Sequence, residues 1–346
     1  MYYGQKLTAE ECFGLVKTQL LDGKPQSEEQ NISSIDLKNK KSVVILCGNN
    51  TKNPMKAAAY TNYYFGWINE FEDKSKVSAY SVYYPSEQPL FVSLQPNPSL
   101  NYAELARIMF DPIIFNGENP QSVKSISEQL GDVTFFGHSA GGFVMNELMF
   151  HLGARLKEQG FSDEDINKIY SSIVFVGYSP YALVDAPINS IYVAPIYDSV
   201  GSTKLVYDRM IQNKGVISSK PEFDISNTCK FRASSYSSFF KLYETAIKNE
   251  NSIYFVDNKS LIATPNLLFY DGLKEDHNLA GVIDYPGPHP YKTEAGIHTT
   301  EFLHKVFNYC LSTERNRFSV NDIYKIVAQK STEQSTDTPT TKNKEL

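Results

Sequence analysis

The residue types and spacing that point most directly to chemistry lie between Gly137 and Gly141. This segment reads Gly-His-Ser-Ala-Gly and fits the pattern G-x-S-x-G, in which a serine occupies a sharp turn between a strand and a helix. The turn is sterically tight, so the residues two positions away must be small, and both are glycine. It also directs the positive end of the helix dipole towards a developing oxyanion. We therefore predict Ser139 as the nucleophile of an acyl transfer. The alternative, a glycine-rich phosphate loop, is disfavoured because neither phosphate-binding signature is present.

Elements on both sides of Ser139 must hold it in place. Residues 132–136 (DVTFF) form a short apolar run typical of a buried strand, and a helix is predicted after the motif. The predicted helix has an apolar stripe at helical spacing, made of Met145, Leu148, Met149, Leu152 and Leu156.

A serine nucleophile of this kind needs an acid and then a histidine later in the chain. The acid is expected just past the carboxyl end of a later strand. Asp198 meets this condition because it follows the strand predicted at 190–196. Asp185 and Asp257 also follow predicted strands and stay as alternatives, since a loop aspartate commonly caps a helix or closes a turn.

Three histidines are candidates for the base. His277 follows the strand predicted at 266–270 after a short acidic loop, His298 precedes a helix predicted at 300–311, and His289 lies between two prolines. We predict His277, with His298 and His289 as alternatives. The other histidines, for which we predict structural or surface roles, are His138, His151 and His304.

Two backbone N–H groups would stabilise the oxyanion. One belongs to Ala140, the residue after the nucleophile, and the other to a loop after an earlier strand. Residues 42–47 (SVVILC) form an apolar, β-branched run typical of a strand buried on both faces, and Gly48-Asn49-Asn50 follows it. We predict Asn49 as the second donor. The alternative is that this loop is only a turn, which its residue types favour.

Strand and helix patterns alternate from residue 42 to residue 312. This alternation predicts an α/β fold with one mostly parallel, doubly wound sheet and helices on both faces. An N-terminal extension is predicted over 1–41, with a short helix at 8–21 and a loop at 23–41. The predictions that depend on proline are a helix at 101–110 broken by Pro112 and a helix at 120–130 with Pro120 in its first turn.

Composition excludes several classes of protein. Lys and Arg number 33 against 39 Asp and Glu, a net charge of −6, and an acidic chain without a basic stripe binds nucleic acid poorly. The four cysteines lack metal-ligand spacing, so we expect reduced thiols, and the acyl transfer predicted at Ser139 needs no metal and no organic cofactor. There is no secretory signal and no run of about 18 apolar residues. We therefore expect a cytoplasmic protein without a transmembrane segment.

The segment VTFFGHSAGGF, the strand followed by Gly48-Asn49-Asn50, and the later Asp and His together resemble an α/β-hydrolase of the lipase or esterase type. The resemblance spans about 42–312 and implies Ser139 as nucleophile, Ala140 as oxyanion donor, Asp198 as acid and His277 as base. Two features depart from the family pattern. The oxyanion loop begins with Cys47-Gly48 where many relatives carry His-Gly, and the stretch between Asp198 and His277 is long.

The resemblance also implies a domain organisation and an activity. The hydrolase domain covers 42–329, with a lid or cap inserted before the last strand at about 201–262, and a polar, disordered tail covers 330–346. The expected function is hydrolysis of a carboxylic ester, of a small molecule or a lipid, with transient contact to a membrane surface. The alternative is an inactive, hydrolase-like binding protein or a secreted effector. The secreted-effector alternative is based on the tail. Its composition resembles bacterial type IV secretion signals, which would imply export without a cleaved signal peptide.

Overall fold

The computed structural model describes residues 7–21, 24–38, 41–49, 51–65, 77–92, 95–178, 184, 186–195, 254–256, 261–264 and 267–270. The strands are β1 (Gly14–Leu21), β2 (Lys24–Gln30), β3 (Lys41–Leu46), β4 (Val77–Tyr83), β5 (Phe91–Val92), β6 (Gln95–Pro96), β7 (Phe115–Asn116), β8 (Asn119–Pro120), β9 (Val133–His138), β10 (Val174–Tyr178), β11 (Asn189–Pro195), β12 (Tyr254–Val256), β13 (Leu261–Thr264) and β14 (Leu267–Tyr270). The helices are α1 (Ala9–Cys12), α2 (Pro54–Phe65), α3 (Tyr102–Ile114), α4 (Val123–Gly131), α5 (Gly141–Glu158) and α6 (Asp163–Tyr170).

One large sheet organises this part of the chain. Its strand order is β12-β13-β14-β11-β10-β9-β3-β4-β1-β2. The neighbouring strands from β4 to β14 are parallel to one another, and antiparallel pairings join the remaining strands at the two edges. Helices connect β3 to β4, β4 to β9 and β9 to β10, as is usual for parallel pairs. The predicted α/β class with a mostly parallel sheet is therefore confirmed.

The central strands are the most deeply buried elements. Val43, Val44, Ile45 and Leu46 of β3 have no exposed surface, and every residue of β9 is buried. Helix α5 packs on both of these strands, and helix α3 packs on α5. The continuous apolar runs predicted as buried strands are thus confirmed, because both faces of this part of the sheet are covered.

The helix predicted after the Ser139 motif is confirmed in detail, and a second helix, α6, has a well-defined start. The predicted stripe of α5 is buried along its whole length, from Met145 to Leu156. Helix α6 begins after Ser162, whose side chain accepts the N–H of Asp165 while the carboxylate of Asp165 accepts the N–H of Ser162. Such a capping box satisfies N–H groups that the helix itself leaves unpaired. Among the described residues, no helix combines the length and the apolar character needed to span a bilayer.

The predictions for the N-terminal segment were wrong in two places. A helix was expected at 8–21, but α1 ends at Cys12 and β1 follows it; a loop was expected at 23–41, but β2 lies there. Strand β1 pairs with both β2 and β4, which places Val16 opposite Ser81. Pairing with a strand more than sixty residues away outweighs local helix propensity. Both strands extend the sheet from within the segment assigned to the N-terminal extension.

The helices predicted at 101–110 and 120–130 are both present, but the role given to proline was wrong in each. Helix α3 continues through Pro112 to Ile114, and the side chain and backbone of Gln121 donate to the carbonyls of Ile113 and Ile114 at its end. Because Pro112 has no N–H, one helical hydrogen bond is lost near the end of α3. Gln121, which lies outside the helix, caps that end. Helix α4 begins after Ser122, whose hydroxyl accepts the N–H of Ser125, so a side-chain cap rather than Pro120 fixes its start.

A bidentate ion pair joins α3 to α5. The Nε and an Nη of Arg155 lie 3.0 and 3.1 Å from the two carboxylate oxygens of Asp111, and both side chains are only about a quarter exposed. The guanidinium also lies 5.0 Å from the centre of the Phe115 ring. This planar fork over an aromatic ring is a contact that arginine makes and lysine does not.

Arg155→Lys should lower the free energy of unfolding by about 1 kcal/mol, because an ammonium cannot make both bonds of the fork. Urea denaturation measures the change. The control is Lys124→Gln, which removes an exposed i,i+4 pair with Glu128 and should change stability by less than about 0.5 kcal/mol. Equal effects of the two substitutions would mean that the fork adds nothing beyond a surface pair.

Candidate active site

Ser139 lies on a two-residue turn between β9 and α5. Strand β9 ends at His138 and α5 begins at Gly141, so Ser139 and Ala140 alone reverse the chain. The φ angle of Ser139 is 52°, and within the described residues it is the one non-glycine residue with a positive φ. A side chain in this left-handed region costs roughly 1–2 kcal/mol. The predicted strand, tight turn and helix are therefore all present, and the turn carries strain at the serine.

The two glycines of the motif are required by close contacts. A Cβ on Gly141 would stand less than 2.5 Å from the carbonyl oxygen of Leu46, and one on Gly137 would stand 2.7 Å from the ring of Phe175. Real Cβ atoms do not approach other atoms so closely. The steric argument made from the sequence, that small residues must flank the serine, holds for both positions.

Backbone hydrogen bonds fix the turn to the neighbouring strand. The N–H of Ser139 donates to the carbonyl of Tyr178, at the end of β10, with a distance of 3.1 Å. Within the turn, the N–H of Gly142 donates to the carbonyl of Ser139 at 3.4 Å. The N-cap position of α5 is Ala140, which offers no side-chain acceptor, so the N–H groups at this helix start are not capped by a side chain.

The predicted oxyanion loop meets the turn at the same edge of the sheet. Leu46, the last residue of β3, pairs with Gly137, so the chain beyond it continues beside His138 and Ser139. The N–H of Thr51 donates to the carbonyl of Gly48 at 3.0 Å, which closes a turn around Asn49. Asn49 is half-buried, and its backbone N–H donates to none of the described residues. Ser139, Ala140 and the Asn49 loop are therefore brought to one edge.

His138 is a buried, hydrogen-bonded residue, which agrees with its predicted structural role. It is 3% exposed, and its Nδ1 lies 2.8 Å from the hydroxyl of Tyr60 on α2. That hydroxyl in turn accepts the N–H of Gly48 at 3.3 Å. The ring of His138 stacks on Tyr178 with centroids 5.8 Å apart. Tyr60 was absent from the sequence predictions because nothing local links it to a histidine 78 positions away.

Burial keeps the thiol of Cys47, the residue after β3, protonated. Cys47 is fully buried, and this burial raises the pKa of its thiol far above the ordinary value. The neighbouring Tyr84 is also buried, which raises the pKa of its phenol. A neutral thiol is a poor nucleophile, so Cys47 is not a candidate nucleophile.

The predicted acid and base lie outside the described residues. This holds for Asp198 and His277 and for the alternatives Asp185, Asp257, His289 and His298. Of the lid predicted at about 201–262, the structure describes only 254–256 and 261–262, which belong to strands β12 and β13 of the sheet. The strands that precede Asp198 and His277 are described, and they are β11 and β14.

The described residues contain no group of three or more His, Cys, Asp or Glu side chains that could hold a metal ion. A surface groove of about 650 Å³ lies between α3 and the chain around Lys38, with Arg107 and Phe115 in its walls. None of the residues that line it belongs to the turn at Ser139 or to the loop at Asn49.

Comparison with known proteins adds no family assignment. No protein-family model matches the chain, and no curated protein matches its sequence. The functional argument therefore depends on the geometry around Ser139 and on the order of the strands.

Gly141→Ala should lower the free energy of unfolding by about 2–3 kcal/mol, because the added methyl group would overlap the carbonyl oxygen of Leu46. Thermal and urea denaturation measure the loss. Gly117→Ala is the matched control: its φ is +68° and no atom lies within 4 Å of the added Cβ, so only a backbone cost of about 1 kcal/mol is expected. Losses of the same size at both positions would contradict the close contact with β3.

Ser139→Gly should be more stable than Ser139→Ala by about 1 kcal/mol. Both substitutions remove the hydroxyl, but only glycine adopts the positive φ of this position without strain. The difference between the two midpoints of urea denaturation measures the strain directly. An alanine variant as stable as the glycine variant would show that the turn is unstrained.

Proposed function

We propose that this protein is a serine hydrolase of the α/β-hydrolase type, which cleaves carboxylic esters through an acyl-enzyme on Ser139. The observation that carries the proposal is the strained Ser139 at the turn between β9 and α5, flanked by glycines that admit no side chain. Strain of this kind at a polar residue is typical of functional sites. The position is also favourable, because ligands of parallel α/β sheets bind beyond the carboxyl ends of the strands.

The register of the sheet supports Asp198 as the acid. Val193 of β11 pairs with Tyr178, which in turn pairs with His138. Strand β11 is therefore two strands away from β9, and the two strands end at nearly the same height along the strand direction. At about 4.8 Å per strand, the lateral separation is about 10 Å. Asp198 follows Pro195 by three residues, which span at most about 11 Å. The alternative Asp257 follows β12, five strands from β9, and is therefore less favoured.

The same reasoning supports a base after β14. This strand is parallel to β11, and its last residue, Tyr270, pairs with Pro195. His277 follows seven residues later, within about 25 Å of chain length. The alternatives His289 and His298 lie further along the chain after β14. Connections of that length could reach many places, so chain length alone neither supports nor opposes them.

In the proposed reaction, the oxygen of Ser139 attacks the ester carbonyl carbon while His277 takes the hydroxyl proton. Asp198 orients the imidazole and stabilises its cationic form. The N–H groups of Ala140 and Asn49 hold the negative oxygen of the tetrahedral intermediate. The intermediate breaks its C–O bond to the alcohol, which leaves with the proton from His277. Water then attacks the acyl-enzyme by the same steps and releases the acid.

The proposed substrate is an acyl ester, of a small molecule or a lipid. Tyr and Phe are about as frequent between Asp198 and His277 as in the whole chain, and these side chains suit contact with an acyl chain. The acidic net charge of −6 opposes nucleic acid as a substrate.

Labelling with a fluorophosphonate probe tests the proposal, together with hydrolysis of short- and long-chain p-nitrophenyl esters. Wild type should be labelled, and Ser139→Ala should lose both labelling and turnover, by about 10⁴-fold or more. Asp198→Asn and His277→Ala should lose turnover while the proteins stay folded by circular dichroism. His289→Ala and His298→Ala decide among the alternative bases.

Ser171→Ala is the matched control, because Ser171 is an exposed serine at the end of α6 and its hydroxyl bonds only locally. It should be labelled and should turn over ester like the wild type. Labelling is repeated in detergent micelles, which would open a site that is covered in their absence. A folded wild type that is neither labelled nor active under both conditions would overturn the proposal and favour a hydrolase-like binding protein.

A further inference from the structure

We propose that Tyr60 and His138 are positioning residues that hold the Gly48–Asn49 loop against the turn of Ser139. Their hydrogen bonds would keep the N–H of Asn49 aimed at the oxyanion. The inference rests on the proposed hydrolase function, since it assigns these two side chains a part in that same site. Neither residue touches the reacting atoms in this proposal; both act through the backbone of the loop.

A chain of hydrogen bonds connects the two loops. The N–H of Gly48 donates to the hydroxyl of Tyr60 at 3.3 Å, and the same hydroxyl lies 2.8 Å from Nδ1 of His138. A backbone N–H can only donate, so the hydroxyl accepts there and has its own proton to give to Nδ1. In this proposal the hydroxyl gives that proton to Nδ1, so His138 is assigned the neutral tautomer with its own ring proton on Nε2.

The two ends of this chain are covalently adjacent to the site. His138 precedes Ser139, and Gly48 precedes Asn49. The approach is close, because a Cβ on Gly48 would stand 3.0 Å from Nδ1 of His138 and 3.3 Å from the hydroxyl of Tyr60. Tyr60 itself comes from α2, the helix that follows the oxyanion loop. One hydroxyl thus links the turn, the loop and the next helix.

Ring packing holds the imidazole in a single position. The ring of His138 contacts Tyr60 and Tyr178, with centroids 5.7 and 5.8 Å away. The carbonyl of Tyr178 also accepts the N–H of Ser139. The residue that packs against the imidazole therefore fixes the nucleophile as well, so movement of His138 and movement of Ser139 are coupled.

Hydrophobic packing alone does not explain this arrangement. Tyr60 and His138 are 2% and 3% exposed, and buried polar groups are costly unless they are paired. A phenylalanine at position 60 would fill nearly the same volume but would leave the N–H of Gly48 and Nδ1 of His138 without this partner. The hydroxyl is needed for the loop, and the loop supplies the second oxyanion donor of the proposed reaction.

Tyr60→Phe is the first variant for the test, and steady-state ester hydrolysis is the readout, with kcat normalised to the fraction of Ser139 that a fluorophosphonate titrates. We expect kcat to fall about ten- to a hundredfold while KM changes less than about threefold, because oxyanion contacts act mainly in the transition state. The rate of fluorophosphonate labelling should fall in parallel.

Tyr84→Phe is the matched control. Tyr84 is a buried tyrosine whose N–H donates to the carbonyl of Thr51 in the same loop, and its hydroxyl has no hydrogen-bond partner among the described residues. Removing that hydroxyl should leave kcat within about twofold of the wild type. A fall in kcat as large as that of Tyr60→Phe would assign the effect to packing and overturn the proposal.

Two further variants keep the test decisive if Tyr60→Phe folds poorly. His138→Asn retains an acceptor near the place of Nδ1 and should keep most of kcat, whereas His138→Leu should lose it by the same factor as Tyr60→Phe. Equal kcat in the asparagine and leucine variants, or a wild-type kcat in Tyr60→Phe, would overturn the positioning role alone. A wild type that neither hydrolyses esters nor reacts at Ser139 would overturn the proposed function and this inference with it.

Discussion

The contact between Gly141 and the carbonyl oxygen of Leu46 is the constraint on which the site depends. It requires glycine at the first position of α5, because any Cβ there would overlap the end of β3. Helix α5 can therefore begin directly beside β3, and the chain must leave β9 and enter the helix within Ser139 and Ala140. The positive φ of Ser139 is the consequence of this short reversal. The same contact brings the end of β3, and with it the start of the following loop, next to the start of the helix.

The parts of this arrangement that could be predicted from sequence are those encoded locally. Residues 42–47 form an apolar run in which β3 lies, and the buried stripe of α5 repeats at helical spacing. The turn itself is predicted because its glycines and serine are adjacent. Strand β2 shows the opposite case. Its sequence KPQSEEQ is exposed almost throughout and has no apolar alternation, so only its pairing with β1 makes it a strand. Local patterns carry no signal for such an edge strand.

The interactions around His138 could not be predicted for a related reason. The sequence correctly suggests that the residue before Ser139 turns into the fold, but it does not indicate the partner that meets it. Tyr60 is 78 residues away, on a helix whose own pattern gives no reason to single out one tyrosine. The acid and the base raise the same difficulty, because sequence does not show which distant residues approach Ser139. Asp198 and His277 are predicted only from their positions after strands. The register of β11 supports the first choice more strongly than the second, since three residues reach less far than seven.

Two independent costs occur at this edge of the sheet, and together they argue for chemistry rather than packing. One is backbone strain at Ser139, which a glycine would relieve; the other is the burial of two polar side chains, Tyr60 and His138, which is tolerated only because they are hydrogen-bonded to each other and to the N–H of Gly48. A loop-to-helix junction without a chemical role would be less strained with glycine at position 139. In the proposed reaction, the strained turn would set the position of the serine hydroxyl, and the hydrogen bonds of Tyr60 and His138 would set the position of the Asn49 loop. A reaction that needs a nucleophile and an oxyanion donor in a set geometry requires both positions to be fixed at once.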